Sequence, residues 1–249
     1  DTLRARTAYY ALGHRLDRLL GDVLATLAHE GLADDTLVVY TTDHGDQLGE
    51  RGLWWKHTLF EDSVRVPAIL RWPGQLPAGE RRPQVANLID VAATMIDALG
   101  APALPHASGR SLLGVARDAQ AAWIDETYAE HCTDTVPAWT GGRAIQQRMV
   151  RVGAHKLIYH HGEAPMLFDL AADPDERHDL AADPAHAATR DALLARVLDG
   201  WNPDAIAARI AARRADKNVI DAWARNVHPA DVYRWPLAPE LNRLDPVTP

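Results

Sequence analysis

The first hundred or so residues alternate long stretches of helical periodicity with short, continuous apolar runs. Between residues 8 and 30, Leu12, Leu16, Leu19, Leu20, Val23, Leu24 and Leu27 recur at i, i+3 and i+4. That stripe predicts an amphipathic helix, with Gly31 standing where a C-terminal cap belongs. After Asp34-Asp35, residues 36–42 are β-branched and uninterrupted, the pattern of a strand buried on both faces, and the run stops at Asp43-His44-Gly45. Residues 66–72 predict a second strand ending at Pro73-Gly74, and 87–99 a helix stopped by Gly100 and Pro102. Helix, strand, loop, strand and helix in that order predict an α/β domain with a mostly parallel sheet covered by helices.

The pattern changes after about residue 118. Residues 123–130, 147–152, 155–160 and 166–170 are short and read as strands, and Gly153-Ala154 predicts a tight hairpin between two of them. Beyond Asp173-Pro174-Asp175, residues 186–199 and 203–225 predict two helices. The stretch 228–249 is rich in proline and aperiodic, and is expected to be an arm that packs Trp235 and Leu237 against something. Three parts result: an α/β portion over 1–118, a small antiparallel α+β subdomain over 119–227, and the arm. No internal repeat is present.

Charge and cysteine content narrow the class. The 249 residues include 26 Lys and Arg against 34 Asp and Glu, a net charge of −8, which argues against a nucleic-acid or anionic-membrane partner. No stretch of eighteen apolar residues exists to span a membrane. Cys132 is alone, which excludes an intrachain disulfide and a cysteine-rich zinc site, and suggests a reducing, cytoplasmic location. The sequence opens at Asp1, inside what reads as a helix and without a signal segment, as a piece of something longer would.

Residues 42–57 are the most informative. They begin where a strand ends, the place where ligand sites of open α/β sheets gather. Asp43 offers an anionic oxygen, His44 a neutral nitrogen, and Gly45 a sharp turn that lets both face one point. A carboxylate beside an imidazole makes half of a divalent-metal site, although Asp-His-Gly arises often by chance and, taken alone, favours a capped turn. Lys56 follows in a loop rich in Gly and Trp, where a lone ammonium can meet an oxyanion, and His57 next to it can reach a substrate oxygen.

Taken with Leu59-Phe60-Glu61-Asp62-Ser63-Val64-Arg65-Val66-Pro67, the run 42–74 resembles the C-terminal catalytic signature of the type I sulfatases, within the alkaline phosphatase superfamily. It is most similar to the branch of choline-sulfatase-like and phosphonate-monoester-hydrolase-like enzymes. Leu167-Phe168-Asp169-Leu170, Asp173-Pro174 with Glu176, and Asp179-Leu180-Ala181 resemble the C-terminal subdomain of the same family. The resemblance implies an alkaline-phosphatase-like sheet and a sulfuric ester hydrolase acting on a small-molecule sulfate ester. It implies that Asp43 and His44 are metal ligands, and that Lys56 touches the sulfate group and assists the leaving oxygen. The implied cofactors are a divalent metal, manganese or calcium with magnesium as a further candidate, and a formylglycine nucleophile made from Cys or Ser. A homo-oligomer is the expected assembly.

One part of the family pattern is missing. No Cys or Ser followed by x-Pro-x-Arg occurs, and Cys132 stands at the wrong spacing from Pro137. The nucleophile is therefore expected upstream, and the fragment alone is expected to be inactive. A phosphonate or phosphate diester hydrolase of the same superfamily is the first alternative, and a non-catalytic assembly fragment docking through 228–249 is the second. Four further groups have plainer readings. His155 and His161 fall on one face of a hairpin and His160 on the other, as surface positions. Glu61 and Arg65 are expected to lock their loop together, Asp46 and Glu50 to orient His44 or Lys56, and Trp54 and Trp55 to pack under the loop or wall a cationic substrate.

Overall fold

The computed structural model describes residues 1–133 and 144–229. The expected arm from 230 onward, with Trp235 and Leu237, lies outside the described residues, as does Pro137. Helix α1 covers Thr2–His29, starting earlier than its leucine stripe requires, and none of its residues is buried. Leu12, Leu16, Leu19 and Val23 are all exposed along it. Its first turns are tied down by Arg6, which donates to the Leu48 carbonyl at 2.8 Å and to Glu50 at 2.6 Å.

Strand β1 (Val38–Thr41) pairs antiparallel with β4 (Ala68–Arg71), Val38 opposite Arg71 and Thr41 opposite Ala68. Between them lie the short hairpin β2 (Gln47–Leu48) and β3 (Trp54–Trp55) and the one-turn helix α2 (Glu61–Val64). The burial expected on both faces of β1 is not found: each of its residues is half-buried, because β4 is the strand beside it and cover comes from one side. That cover is α3 (Leu88–Ala98) and α4 (Leu113–Arg117), where Val91, Leu112 and Val115 pack on Val39 and Leu70. The strand pairs among the described residues are antiparallel throughout, so the parallel arrangement of the larger sheet is not represented among them. Asn87 caps α3 in a reciprocal capping box with Asp90. Its amide also donates to Thr127 Oγ1 at 2.8 Å and the Tyr128 carbonyl at 2.9 Å, fastening α3 to the sheet that follows.

That sheet has four antiparallel strands in sequence order: β5 (Glu126–Cys132), β6 (Gln146–Val152), β7 (His155–His160) and β8 (Met166–Asp169). Gly153, at φ 55°, turns the expected hairpin between β6 and β7. Alternation gives the sheet two apolar faces. On one, Val150, Leu157 and Leu167 meet Leu193 and Val197 of α5 (Ala187–Leu198). On the other, Met149, Ile158 and Phe168 meet Leu59, with Phe60 and Val64 alongside. The loop bearing the most informative part of the sequence is thus clamped between β4 and the second sheet. Helix α6 (Pro203–Val227) follows, with no buried residue. No helix among the described residues is long and apolar enough to cross a membrane.

A buried ionic cluster runs through this junction. Lys156 projects from β7 on the same face as Ile158, and its fully buried ammonium lies 2.9 Å from Glu61 and 2.8 Å from Glu176. Arg151 adds a contact to Glu61 at 3.2 Å, and Glu176 accepts the backbone N–H of Glu61 at 2.6 Å. Arg51 bonds Asp62 at 2.6 Å and the Asp175 carbonyl at 2.6 Å while its guanidinium covers the Phe60 ring. Glu61 therefore locks its loop as expected, but to the distant β6 and β7 rather than to Arg65, which is exposed. A buried carboxylate demands the nearest buried cations, and strand alternation supplies them at 151 and 156.

Candidate active site

The site is built on the turn that ends β1. The Thr42 hydroxyl and the backbone N–H of His44 both bond Asp43 Oδ1, at 3.3 and 3.1 Å, which leaves Oδ2 free. His44 Nδ1 lies 2.8 Å from the Gly45 carbonyl. A carbonyl only accepts, so that contact places the ring proton on Nδ1 and leaves the lone pair on Nε2. Nε2 stands 3.4 Å from Asp43 Oδ2. Two ligands about 2.1 Å from one ion, at an angle between right and tetrahedral, would be separated by roughly 3.0–3.4 Å. The pair thus suits a shared divalent cation, with Asp43 largely exposed and His44 partly so. Slight desolvation pushes the Asp43 carboxyl up, but the His44 ring, the backbone amides and the Thr42 hydroxyl together hold it below the usual carboxylate range.

The turn depends on Gly45. Its N–H donates to the Ser63 carbonyl at 2.8 Å, and a Cβ there would fall 2.1 Å from the Asp62 carbonyl oxygen. Neither atom can yield without breaking the loop that Glu61 anchors. Gly45→Ala is therefore expected to cost about 1–3 kcal/mol of stability and to displace Asp43 and His44 together. Urea unfolding paired with metal titration reads both effects, and an unperturbed variant would mean that the loop moves aside freely.

The β2–β3 hairpin returns the chain so that Lys56 and His57 face the same cleft as Asp43 and His44, a space of about 940 Å³. Gln47 supports the return by donating to Thr58 Oγ1 at 2.7 Å, and Thr58 in turn bonds Ser63 at 3.1 Å. Among the described residues neither Lys56 nor Arg65 makes an ion pair, whereas Glu61 and Arg151 at the floor of the cleft pair with each other. The cleft thus presents two free cations beside one carboxylate–imidazole pair.

Other expected groups sit elsewhere. Glu50 is spent on the Leu48 N–H at 2.6 Å and on Arg6, and Asp46 bonds Tyr9, so neither orients His44 or Lys56. Short-range backbone donors and the nearby α1 claim them first. Trp54 and Trp55 are exposed rather than packed under the loop, with Trp55 edge-on to His57 at 6.5 Å between centroids. His161 reaches Asp204 at 3.2 Å, and no group of three or more His, Cys, Asp and Glu gathers among the described residues.

Sequence reasoning did not single out His131, which lies on β5 and lines the cleft beside His57, ring centroids 5.5 Å apart. Burial, and then the His57 ring, lower its pKa below the ordinary histidine value. Tyr128, three residues earlier on β5, has its ring on the opposite face against the α5 cluster, with its hydroxyl pushed up to about 12 by burial and by Glu126 at 2.5 Å. The signal for His131 was the two-residue alternation of β5, which runs on past residue 130 to Cys132.

Known proteins resemble this chain over most of its length. Residues 1–101 match the family model described as Sulfatase. Choline-sulfatase of Rhizobium meliloti (strain 1021) is 32% identical over 229 residues, covering 90% of this chain and 43% of that protein. Arylsulfatase K of Mus musculus is 34% identical over 187 residues, covering 72% of this chain and 32% of that protein. Among solved structures, the phosphonate monoester hydrolase of Agrobacterium radiobacter aligns with a TM-score of 0.69 and 28% identity, over 78% of this chain and 40% of its own. The chain thus spans less than half the length of these relatives. With its segment match, its relatives and its mixed α/β architecture in agreement, the chain belongs to the sulfatase family, within the alkaline phosphatase superfamily.

Proposed function

We propose that the full-length protein hydrolyses a small-molecule sulfate monoester at the cleft containing Asp43, His44 and Lys56. The observation that supports this most is the placement of Asp43 Oδ2 and His44 Nε2 3.4 Å apart at a strand end, with Lys56, which has no ion pair among the described residues, lining the same cleft. Asp43 and His44 would hold a divalent cation, manganese or calcium with magnesium as a further candidate, which when bound neutralises the sulfuryl oxygens and activates the nucleophile. The nucleophile is a formylglycine outside this chain, since no Cys or Ser followed by x-Pro-x-Arg occurs in it. The chain by itself is then inactive.

The protein's own groups have defined tasks. Gly45 and Thr42 hold the Asp43 carboxylate and His44 ring in place before substrate arrives, so no reorganisation accompanies the reaction. Lys56 brings a positive charge to the sulfate, with its ammonium available to the oxygen on which charge develops as the S–O bond breaks. A preorganised donor of this kind is worth roughly a hundredfold in rate or more.

A second reading has its own support: the phosphonate monoester hydrolase neighbour shares the fold at a TM-score of 0.69, and an Asp, His and Lys set serves phosphoryl and sulfuryl centres alike. Rates of the full-length enzyme on matched aryl sulfate and aryl phosphonate esters separate the two. A preference for the sulfate is expected, and strong preference for the phosphonate would replace the first reading with the second.

A further inference from the structure

The second sheet contributes to the cleft as well as holding its loop. His131 and Gln147 are direct partners across β5 and β6, and both face the loop that bears Lys56 and His57. Gln147 is almost fully buried, and its side-chain nitrogen lies 3.2 Å from the His57 carbonyl and 2.8 Å from His131 Nδ1. The carbonyl can only accept, so it fixes which end of the amide is NH₂, and the same NH₂ must then donate to His131 Nδ1. His131 is held as the neutral tautomer with its proton on Nε2. Burial and the neighbouring His57 ring both oppose a second proton. The carboxylate next along the strand, Glu130, is occupied by Arg148 at 3.3 Å.

Resting on the sulfate-ester reading above, we propose that His131 is a specificity-determining residue: with His57 it forms an imidazole wall that donates a hydrogen bond from Nε2–H to an oxygen on the alcohol portion of the ester. A neutral N–H donor with no free carboxylate beside it among the described residues suits a hydroxyl- or ether-bearing alcohol, such as a sugar, better than a quaternary ammonium alcohol. Gln147 is a positioning residue, acting through the ring it orients.

The test uses the full-length enzyme and two substrates, a sulfated methyl glycoside and its deoxy analogue lacking the neighbouring hydroxyl. The ratio of their kcat/KM values is the readout. His131→Phe is expected to lower that ratio about tenfold, the worth of one hydrogen bond, and His131→Gln, which keeps a donor, to restore most of it. An unchanged ratio in His131→Phe overturns the assignment. Nitrogen-15 imidazole spectra of the unaltered enzyme give a check that does not depend on the variant folding: an unprotonated Nδ1 is expected, and a protonated Nδ1 on His131 would also overturn it. If the enzyme proves to prefer phosphonate esters, the sulfate reading falls alone, and the same ratio read on the matched phosphonate pair still decides the role of His131.

Discussion

Replacing Lys156 by methionine is expected to remove about 3–5 kcal/mol of stability, because it deletes a buried charge and strands the carboxylates around it. The substitution keeps the apolar stem and deletes the ammonium, so packing against Ile158 and Phe168 is nearly preserved. What remains is two carboxylates, Glu176 with no side-chain exposure and Glu61 with 12%, facing each other without the cation that stood 2.8 and 2.9 Å from them. Arg151 still reaches Glu61 at 3.2 Å and Arg51 reaches Glu176 only at 3.5 Å, which places the expected loss nearer the lower bound. Urea unfolding of the full-length protein measures it. Adding Glu176→Gln should recover part of the loss, because the second substitution removes the charge that the first left stranded. A loss below about 1 kcal/mol would show that water reaches this cluster. Turnover should fall as well, since the loop that Glu61 anchors provides the Ser63 carbonyl on which Gly45 hangs.

Asp43→Ala is expected to lower kcat/KM for the sulfate ester by roughly a thousandfold in the full-length enzyme while leaving the fold intact. Asp43 is 81% exposed and packs against nothing that its loss would uncover, so the effect is chemical. Its carboxylate provides one of the two donor atoms at the strand end, and the remaining His44 nitrogen would hold a divalent cation far more weakly. Activity should return partly at high metal concentration, and a metal titration beside the rate measurement distinguishes weak loading from lost chemistry. A fully active Asp43→Ala enzyme would sink the proposal that this turn serves the reaction.

The elements that sequence patterns located are those whose cause is local. The leucine stripe of α1, the helix of residues 87–99 with its stop at Gly100 and the glycine hairpin at Gly153 depend on residues a few positions apart. The turn at Asp43 and His44 was legible because a β-branched run ends there, and Lys56 because an unaccompanied ammonium stood nearby in the chain. Glu61 was paired in the sequence with Arg65, four residues on, whereas its partners Arg151 and Lys156 come from 90 and 95 residues away. No local period carries that information. The half-buried state of β1 was missed for a related reason: an apolar run reports what a strand can tolerate, and the neighbours it actually has are set by other segments. His131 fell one residue beyond the expected end of its strand, where boundaries are decided by pairing with β6 rather than by composition.

The buried ammonium also has a practical use. The lysines of the chain are Lys56, Lys156 and Lys217, and of these Lys56 and Lys217 lie at the surface while Lys156 is sealed between the second sheet and the loop that bears Glu61. An amine-reactive label therefore meets Lys156 only in molecules whose junction has come apart. The tag found on that one peptide counts the separation of loop and sheet, with the two surface lysines as internal standards, and it does so without any substitution in the protein.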